Sequence, residues 1–222
     1  MFNGAFLSCQ KLTSVDFPNV EYLGTYAFKG AYGPETIDLP NLINTKSYAF
    51  QDNKGIKRAV FPKLSGIGYN SFCNCENLES IECPSATAIN TGAFANCYHL
   101  TSISIPNFYG RLEGNNYDLY LGTFQNCSSL ISGDFSNVSA IEGPVFYGCS
   151  SLISVDFPNC KYVGIYETSY NGPFANCSSL KYAKFENAEN SNTTNYSSYK
   201  MFCNCHSLTA VEFPKYACIN YG

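Results

Sequence analysis

One feature constrains this 222-residue chain more than any other: a phenylalanine that recurs at nearly constant spacing. The steps between successive members are 22, 22, 22, 22, 30, 22, 28 and 28 residues. The nine members are Phe6, Phe28, Phe50, Phe72, Phe94, Phe124, Phe146, Phe174 and Phe202. A period of this length indicates a solenoid, because one such unit cannot bury its apolar side alone and has to stack on its neighbours.

Most units also carry the pattern L-x-x-V-x-F-P or a close variant of it, which begins six residues after the phenylalanine. Its last two apolar residues, such as Val15 and Phe17 or Ile103 and Ile105, are one residue apart and point to the same side of an extended segment. The proline that follows has no backbone donor and ends the strand. We therefore predict one short strand in each unit of a parallel sheet. Each unit forms one rung of the stack. We expect less regular rungs where the pattern fails, at Pro34, Gly133, Ser136 and Glu186.

The unit FANCYHLTSISIP, residues 94–106, carries the elements A-F-x-x-C-x-x-L and L-x-x-I-x-[FI]-P. These elements resemble the BspA-like leucine-rich repeat, and the resemblance covers nearly the whole chain. It implies a right-handed leucine-rich-repeat solenoid of about nine 22-residue units, with a parallel sheet on one face and irregular backbone on the other. It also implies a surface or secreted protein of a host-associated bacterium or parasitic protist that binds host components.

Residues 1–222 are expected to form a single solenoid domain that is part of a longer array. Neither end of the chain has an evident polar cap, although solenoids need capping for solubility. Uncapped ends also predict self-association through the solenoid ends.

The charge and the hydrophobicity of the chain exclude two classes of partner, nucleic acids and the interior of a membrane. Charged residues make up 14% of the chain and the net charge is −4, so no basic field exists for nucleic acid. No apolar run is long enough to span a bilayer, and we expect no membrane insertion. The first residues, MFNGAFLSC, lack the basic and long apolar regions of a signal peptide.

Twelve cysteines raise the question of disulfides, metal binding or nucleophilic chemistry. Seven of them share one position, three residues after the phenylalanine: Cys9, Cys75, Cys97, Cys127, Cys149, Cys177 and Cys205. Because Asn53 fills the same position in another unit, we interpret it as a structural slot that holds buried, reduced thiols. Disulfides between adjacent rungs remain the alternative, since stacked strands lie within the permitted Cα separation.

The two histidines do not extend this pattern into a catalytic or metal site. His99 and His206 occupy different positions in their units, and nothing nearby supplies the third group that orients a Cys-His pair. The runs CNC (73–75) and CNCH (203–206) have no matching second pair at a spacing typical of zinc. We expect neither an enzyme nor a cofactor or metal.

One candidate binding surface is the outward face of the predicted strands. It carries an acidic row beside a row of serine and threonine. The acidic members are Asp16, Asp38, Glu82, Asp134, Asp156 and Glu212. The alternative interpretation is a solvated sheet face that resists aggregation.

A second candidate surface comes from three insertions, at residues 108–123, 164–173 and 186–201. All three fall at the same point of the repeat, so they are expected on one side of the C-terminal half. They are rich in Tyr and Asn, a composition typical of recognition loops, although loops under weak constraint could drift to it. The candidate contact residues are Tyr109, Tyr117, Tyr120, Tyr166, Tyr170, Tyr196 and Tyr199.

From these surfaces we predict a non-enzymatic binding module that recognises a protein or glycan partner at a cell surface or after secretion. The alternative is a structural spacer that presents another domain. The in-phase insertions favour binding, because a spacer has no use for clustered tyrosine-rich loops.

Overall fold

A computed structural model of the protein describes residues 2–114, 121–166, 171–189, 196–197 and 200–215. Within these ranges the backbone forms short strands joined by turns, without a helix. The strands of the first half are β1 (Tyr22–Leu23), β2 (Thr36–Asp38), β3 (Asn44–Thr45), β4 (Arg58–Val60), β5 (Gly66–Ile67), β6 (Ser80–Glu82), β7 (Ala88–Ile89) and β8 (Ser102–Ser104). Those of the second half are β9 (Arg111–Glu113), β10 (Ser132–Asp134), β11 (Ala140–Glu142), β12 (Ser154–Asp156), β13 (Tyr162–Tyr166), β14 (Tyr182–Lys184), β15 (Tyr196–Ser197) and β16 (Ala210–Glu212).

The predicted strand of the L-x-x-V-x-F-P pattern forms in every unit from the second onward. These strands pair in parallel in the orders β2-β4-β6, β8-β10 and β12-β14-β16. β6 also lies against β8, and β10 against β12, so the three groups follow one another along the stack. In most of these strands the middle residue is buried and its two neighbours are more exposed, as the spacing predicts.

The expected irregularity at the pattern breaks is wrong for this strand. β2 forms after Pro34, β10 contains Gly133 and β14 ends before Glu186. At Gly133 the reason is direct: a Cβ atom there would lie 2.4 Å from Cζ of Phe135, so the ring fills the space of the missing side chain. The first unit is the one without the strand, since residues 14–16 are not paired.

The expectation of one strand for each unit needs a correction, because the opposite side of the solenoid is also paired. After the proline turn the chain extends again and forms a second parallel ladder. It comprises β1-β3-β5-β7 in the first half and β9-β11-β13 in the second, where β15 adds antiparallel to β13. The same position of successive rungs comes into register here as well, so backbone groups that would otherwise meet solvent pair with the next rung.

The repeating phenylalanine forms the centre of the core. From Phe6 to Phe202 each ring stacks on the next, with centroids 4.9 to 5.5 Å apart. The rings from Phe28 to Phe174 have at most 1% of their surface exposed. A second column, formed by the phenylalanines that end the strand pattern, packs beside the first, for example Phe157 on Phe185 at 5.5 Å. Each buried ring contributes on the order of 3 kcal/mol through burial.

A left-handed turn follows each of these phenylalanines by two residues. Asn is the commonest residue there, with φ near +60° at Asn74, Asn96, Asn126, Asn176 and Asn204. Asn adopts this conformation more readily than other residues with a side chain. The side chains also link the rungs, since the Asn96 amide donates to Asn74 Oδ1 at 2.8 Å and the Asn126 amide to Asn96 Oδ1 at 2.8 Å. This ladder is a feature that the sequence analysis did not identify.

Candidate functional site

The cysteine slot has a structural role in successive rungs of the solenoid. The Cys97 thiol is fully buried and donates to the Phe72 carbonyl oxygen at 3.1 Å. The same bond, from the thiol to the repeating phenylalanine of the previous rung, recurs in other units at 3.0 to 3.2 Å: Cys75, Cys127, Cys149, Cys177 and Cys205. Asn53 donates from its amide to the Phe28 carbonyl oxygen at 3.4 Å. The slot therefore holds a small buried side chain, Ala31 included, and where that side chain is Cys or Asn it also bonds to the previous rung, which confirms its structural interpretation.

Burial also makes these thiols poor nucleophiles. Eleven cysteines lie in the described part of the chain, and all are free thiols. Desolvation raises the pKa of Cys83 and of Cys160 to about 12, and it raises the pKa of Cys97 well above its usual range. The thiolate is the reactive form of cysteine, so these residues are inert near neutral pH.

The histidines do not meet these thiols. His99 is exposed and its Nδ1 lies 2.7 Å from the Glu76 carbonyl oxygen, to which the ring N–H donates, whereas the Cys97 thiol points into the core. His206 is exposed in the last unit. In the described ranges no three His, Cys, Asp or Glu side chains come together in a way that could hold a metal ion.

The acidic residues of the strand face all point outward. Asp16, Asp38, Glu82, Asp134, Asp156 and Glu212 are exposed. The row is interrupted where Val60 pairs in register between Asp38 and Glu82, and where Lys184 pairs between Asp156 and Glu212. Arg58 also pairs with Glu82 at 2.5 Å. Basic and neutral neighbours therefore weaken the negative field of this face.

The bases of the three insertions belong to one sheet. The first insertion contains β9, the second begins within β13 and the third contains β15. These strands join in the order β15-β13-β11-β9. A bridge between Gly114 and Gly122 closes the first insertion, and the buried Glu142 carboxylate pairs with Arg111 at its base. The three insertions, which fall at the same point of the repeat, thus start from strands of one sheet.

The candidate tyrosines can be placed only in part. Tyr109 is 74% exposed at the start of the first insertion. Tyr166 and Tyr196 are register partners in the antiparallel pair of β13 and β15. Tyr117, Tyr120, Tyr170 and Tyr199 lie outside the described residues.

A second group of tyrosines, in the N-terminal half, was not predicted from the sequence. The rings of Tyr26 and Tyr48 stack with centroids 5.2 Å apart, and Tyr22 and Tyr69 are each about half exposed. Tyr26 and Tyr48 have φ of 60° and 61°, a region that bulky residues rarely occupy. Their shared position two residues before the phenylalanine was the available signal, since Gly4, Gly92, Gly122 and Gly172 fill it in other units.

The comparison with known proteins agrees with this architecture. A family model described as the BspA type leucine rich repeat region matches residues 2–120 and 112–220. With this repeat over nearly its whole length and two parallel ladders around a phenylalanine core, the chain belongs to the BspA-type leucine-rich-repeat family. No curated protein matches the chain.

Two solved structures are similar to the chain. A leucine-rich repeat protein from Bacteroides ovatus has 26% identity and a TM-score of 0.62 over 96% of this chain and 57% of its own. A leucine rich cell surface protein from Faecalibacterium prausnitzii has 22% identity and a TM-score of 0.52 over 98% of this chain and 63% of its own. The chain thus spans less than two thirds of the length of either structure.

Among the described residues, no helix is long and apolar enough to cross a bilayer.

Proposed function

We propose that this chain is a non-enzymatic binding module of a cell-surface protein and that it recognises a protein partner through the side that carries the three insertions. Membership of a repeat family that generally serves in interaction supports the proposal. The Faecalibacterium relative, described as a cell surface protein, supports the location.

The observation that carries the proposal is the common sheet beneath the insertions. β9, β11, β13 and β15 form one paired sheet, so the three insertions, which are far apart in the sequence, start from a common base. A rigid base of this kind limits the entropy lost when the loops meet a partner. Tyrosine, in turn, supplies a large and rigid contact surface with few rotatable bonds.

The strand face is the less favourable surface for tight binding. Its carboxylates are exposed and interrupted by Val60, Ser104 and Lys184. Exposed charges mainly steer the encounter of two proteins, and salt screens them.

A binding screen with matched variants tests this proposal. The chain is applied to an array of host extracellular proteins, and the protein it retains is titrated against a variant with Tyr109, Tyr117, Tyr120, Tyr170 and Tyr199 changed to Ser. We expect at least a tenfold loss of affinity, because aromatic anchors commonly contribute about 2 kcal/mol each when a partner buries them. The melting temperature is expected to stay nearly unchanged, since the substitutions leave the stacked phenylalanine core intact.

The matched control changes Asp16, Asp38, Asp134 and Asp156 to Asn. Full affinity of the tyrosine variant, with loss in this control, would move the site to the strand face. A chain that retains no protein from the array would favour the spacer instead.

A further inference from the structure

An open groove of about 590 Å³ runs along the C-terminal half on a part of the surface that the insertions do not form. It follows the edge of the ladder formed by the strands of the L-x-x-V-x-F-P pattern, just before β10, β12, β14 and β16. Two rows line it: serines five residues after the repeating phenylalanine, and Thr101, Ile131, Ile153 and Lys181 seven residues after it. Its volume falls in the range of about 300 to 1,000 Å³ that is common for ligand sites.

The isoleucines of this groove are exposed without a role in the core. Ile131 is 47% exposed and Ile153 is 45% exposed, in consecutive rungs. At the same point of the repeat the N-terminal half carries Glu35, Lys57 and Glu79. Since the fold accepts charged side chains at this position, stacking does not require isoleucine there. A pair of exposed apolar side chains in a concave site is typical of a contact surface.

The serine row presents hydroxyl groups that the described part of the protein leaves without a partner. These are Ser129, Ser151, Ser179 and Ser207, the residues five after each phenylalanine. The serines one position earlier behave differently: Ser128 and Ser150 donate to backbone carbonyl oxygens of the previous rung at 3.2 and 3.3 Å. The hydroxyls of the groove can therefore donate to and accept from a ligand.

The backbone along the groove argues against an added peptide strand. The Ile131 N–H donates to the Thr101 carbonyl oxygen at 2.9 Å, the Ile153 N–H to that of Ile131 at 3.3 Å, and the Lys181 N–H to that of Ile153 at 2.8 Å. Recognition by strand addition needs an edge with unpaired backbone groups, and these groups are already paired.

The lining instead matches a sugar chain. A pyranose ring has an apolar C–H face that packs on aliphatic side chains and a rim of hydroxyls that bond to serine. The hydroxyl row repeats at the rung spacing of about 4.8 Å, which is close to the length of one sugar unit in an extended chain. Lys181 is the one charged side chain in the lining and suits a carboxylated sugar.

We propose that this groove binds an extended oligosaccharide, with sugar rings packed on Ile131 and Ile153, hydroxyls bonded to the serine row, and a carboxylate placed near Lys181. This site is separate from the insertion surface, and the same chain can hold a glycan here and a protein partner there.

The test is isothermal titration calorimetry of the full chain with hexagalacturonate and with neutral cellohexaose. We expect hexagalacturonate to bind more tightly and its advantage to shrink as salt is added, because the Lys181 contact is exposed. Lys181→Gln should reduce the affinity for hexagalacturonate to that for cellohexaose. Absence of heat from both sugars at millimolar concentration would overturn the proposal.

The decisive variant combines Ile131→Glu with Ile153→Lys. It places in the groove the residue types that the N-terminal half already carries at this position, so circular dichroism and the melting temperature should stay unchanged. We expect at least about a tenfold loss of sugar affinity, equivalent to about 1.4 kcal/mol.

A second variant, Ser151→Ala with Ser179→Ala, removes hydroxyls without changing the core and should also weaken sugar binding. Glu79→Gln is the matched control at the same repeat position outside the groove, and the tyrosine variant of the insertions is the control for the other surface. Both should bind sugar like the parent chain. Sugar binding that survives both groove variants would refute the assignment of this site.

Discussion

The repeats before residue 107 and those after it have the same interior and different exteriors. Inside, Phe50 stacks on Phe72 at 4.9 Å in the first half, and Phe146 stacks on Phe174 at 5.3 Å in the second. Outside, the first half has Glu35 paired with Lys57 at the position where the second half exposes Ile131. Stacking constrains the inward positions in every rung and leaves the outward positions free, so differences in function are expected in the exposed rows and insertions.

The largest expected effect is a loss of stability at alkaline pH, which should be smaller in the second and third units than in the units after residue 72. No cysteine lies between residues 10 and 72, whereas burial raises the pKa of Cys83 and Cys160 to about 12 and that of Cys73 to about 11. The folded state keeps these thiols protonated, while the unfolded chain releases the protons above about pH 8.5. Stability is therefore full below that pH and falls above it, by about 1.4 kcal/mol per pH unit for each shifted thiol.

Amide hydrogen exchange with mass spectrometry at pH 7, 9 and 10 checks this prediction. The units after residue 72 should lose protection against exchange at a lower pH than the second and third units do. The reason is that the stability of each rung in a solenoid depends mainly on its neighbours. Uniform loss of protection along the whole chain would mean that the stack unfolds as a single cooperative unit.

The second prediction tests whether the two halves share one core. Phe72→Ala and Phe146→Ala each remove a fully buried ring from the stack. Each should lower the free energy of unfolding by about 3 to 5 kcal/mol, and the two values should agree within about 1 kcal/mol. Urea denaturation gives both numbers. A much smaller effect in one half would show that its core relaxes around the cavity and is less tightly packed than the other.

The third prediction concerns the Asn ladder that crosses both halves. Asn96→Ala should destabilise the protein by about 1 to 3 kcal/mol. Alanine is strained at φ 61°, and the side-chain hydrogen bonds to Asn74 and Asn126 are lost. Asn96→Gly is the matched control, since Gly148 holds the same turn at φ 73°. The glycine variant should recover the part of the loss that comes from backbone strain. An equal loss of stability in both variants would assign the whole effect to the side-chain hydrogen bonds between the asparagines.

The smallest expected effect lies on the strand face. Glu82→Gln removes an exposed ion pair with Arg58, and Asp156→Asn neutralises the corresponding row in the other half. Both should change the free energy of unfolding by less than about 1 kcal/mol in urea titrations, as is usual for exposed charges. A larger loss from either substitution would indicate that this face is not merely solvated.

The inward-facing pattern was predictable because it is local and repeated. Residues such as Ile37 and Leu39 lie where the period of two places them, and the rule holds even where a unit departs from the consensus. The groove was harder to find, because Ser129 and Ile131 look like ordinary surface residues in sequence. Only their stacking on Ser151 and Ile153 turns two rows into one concave site.

The sequence by itself determined the solenoid, its period, the strand of the leucine-rich pattern and the structural nature of the cysteine slot, because each depends on identical residues recurring at equal steps. Tertiary structure alone decided the second parallel ladder, the thiol bonds to the previous rung and the shared sheet beneath the three insertions. These features join residues 20 to 35 positions apart in the sequence. A backbone hydrogen bond does not restrict which side chain a residue carries, so the sequence does not reveal it. They arise when equivalent positions of successive rungs come into register, and that register exists only in the stacked chain.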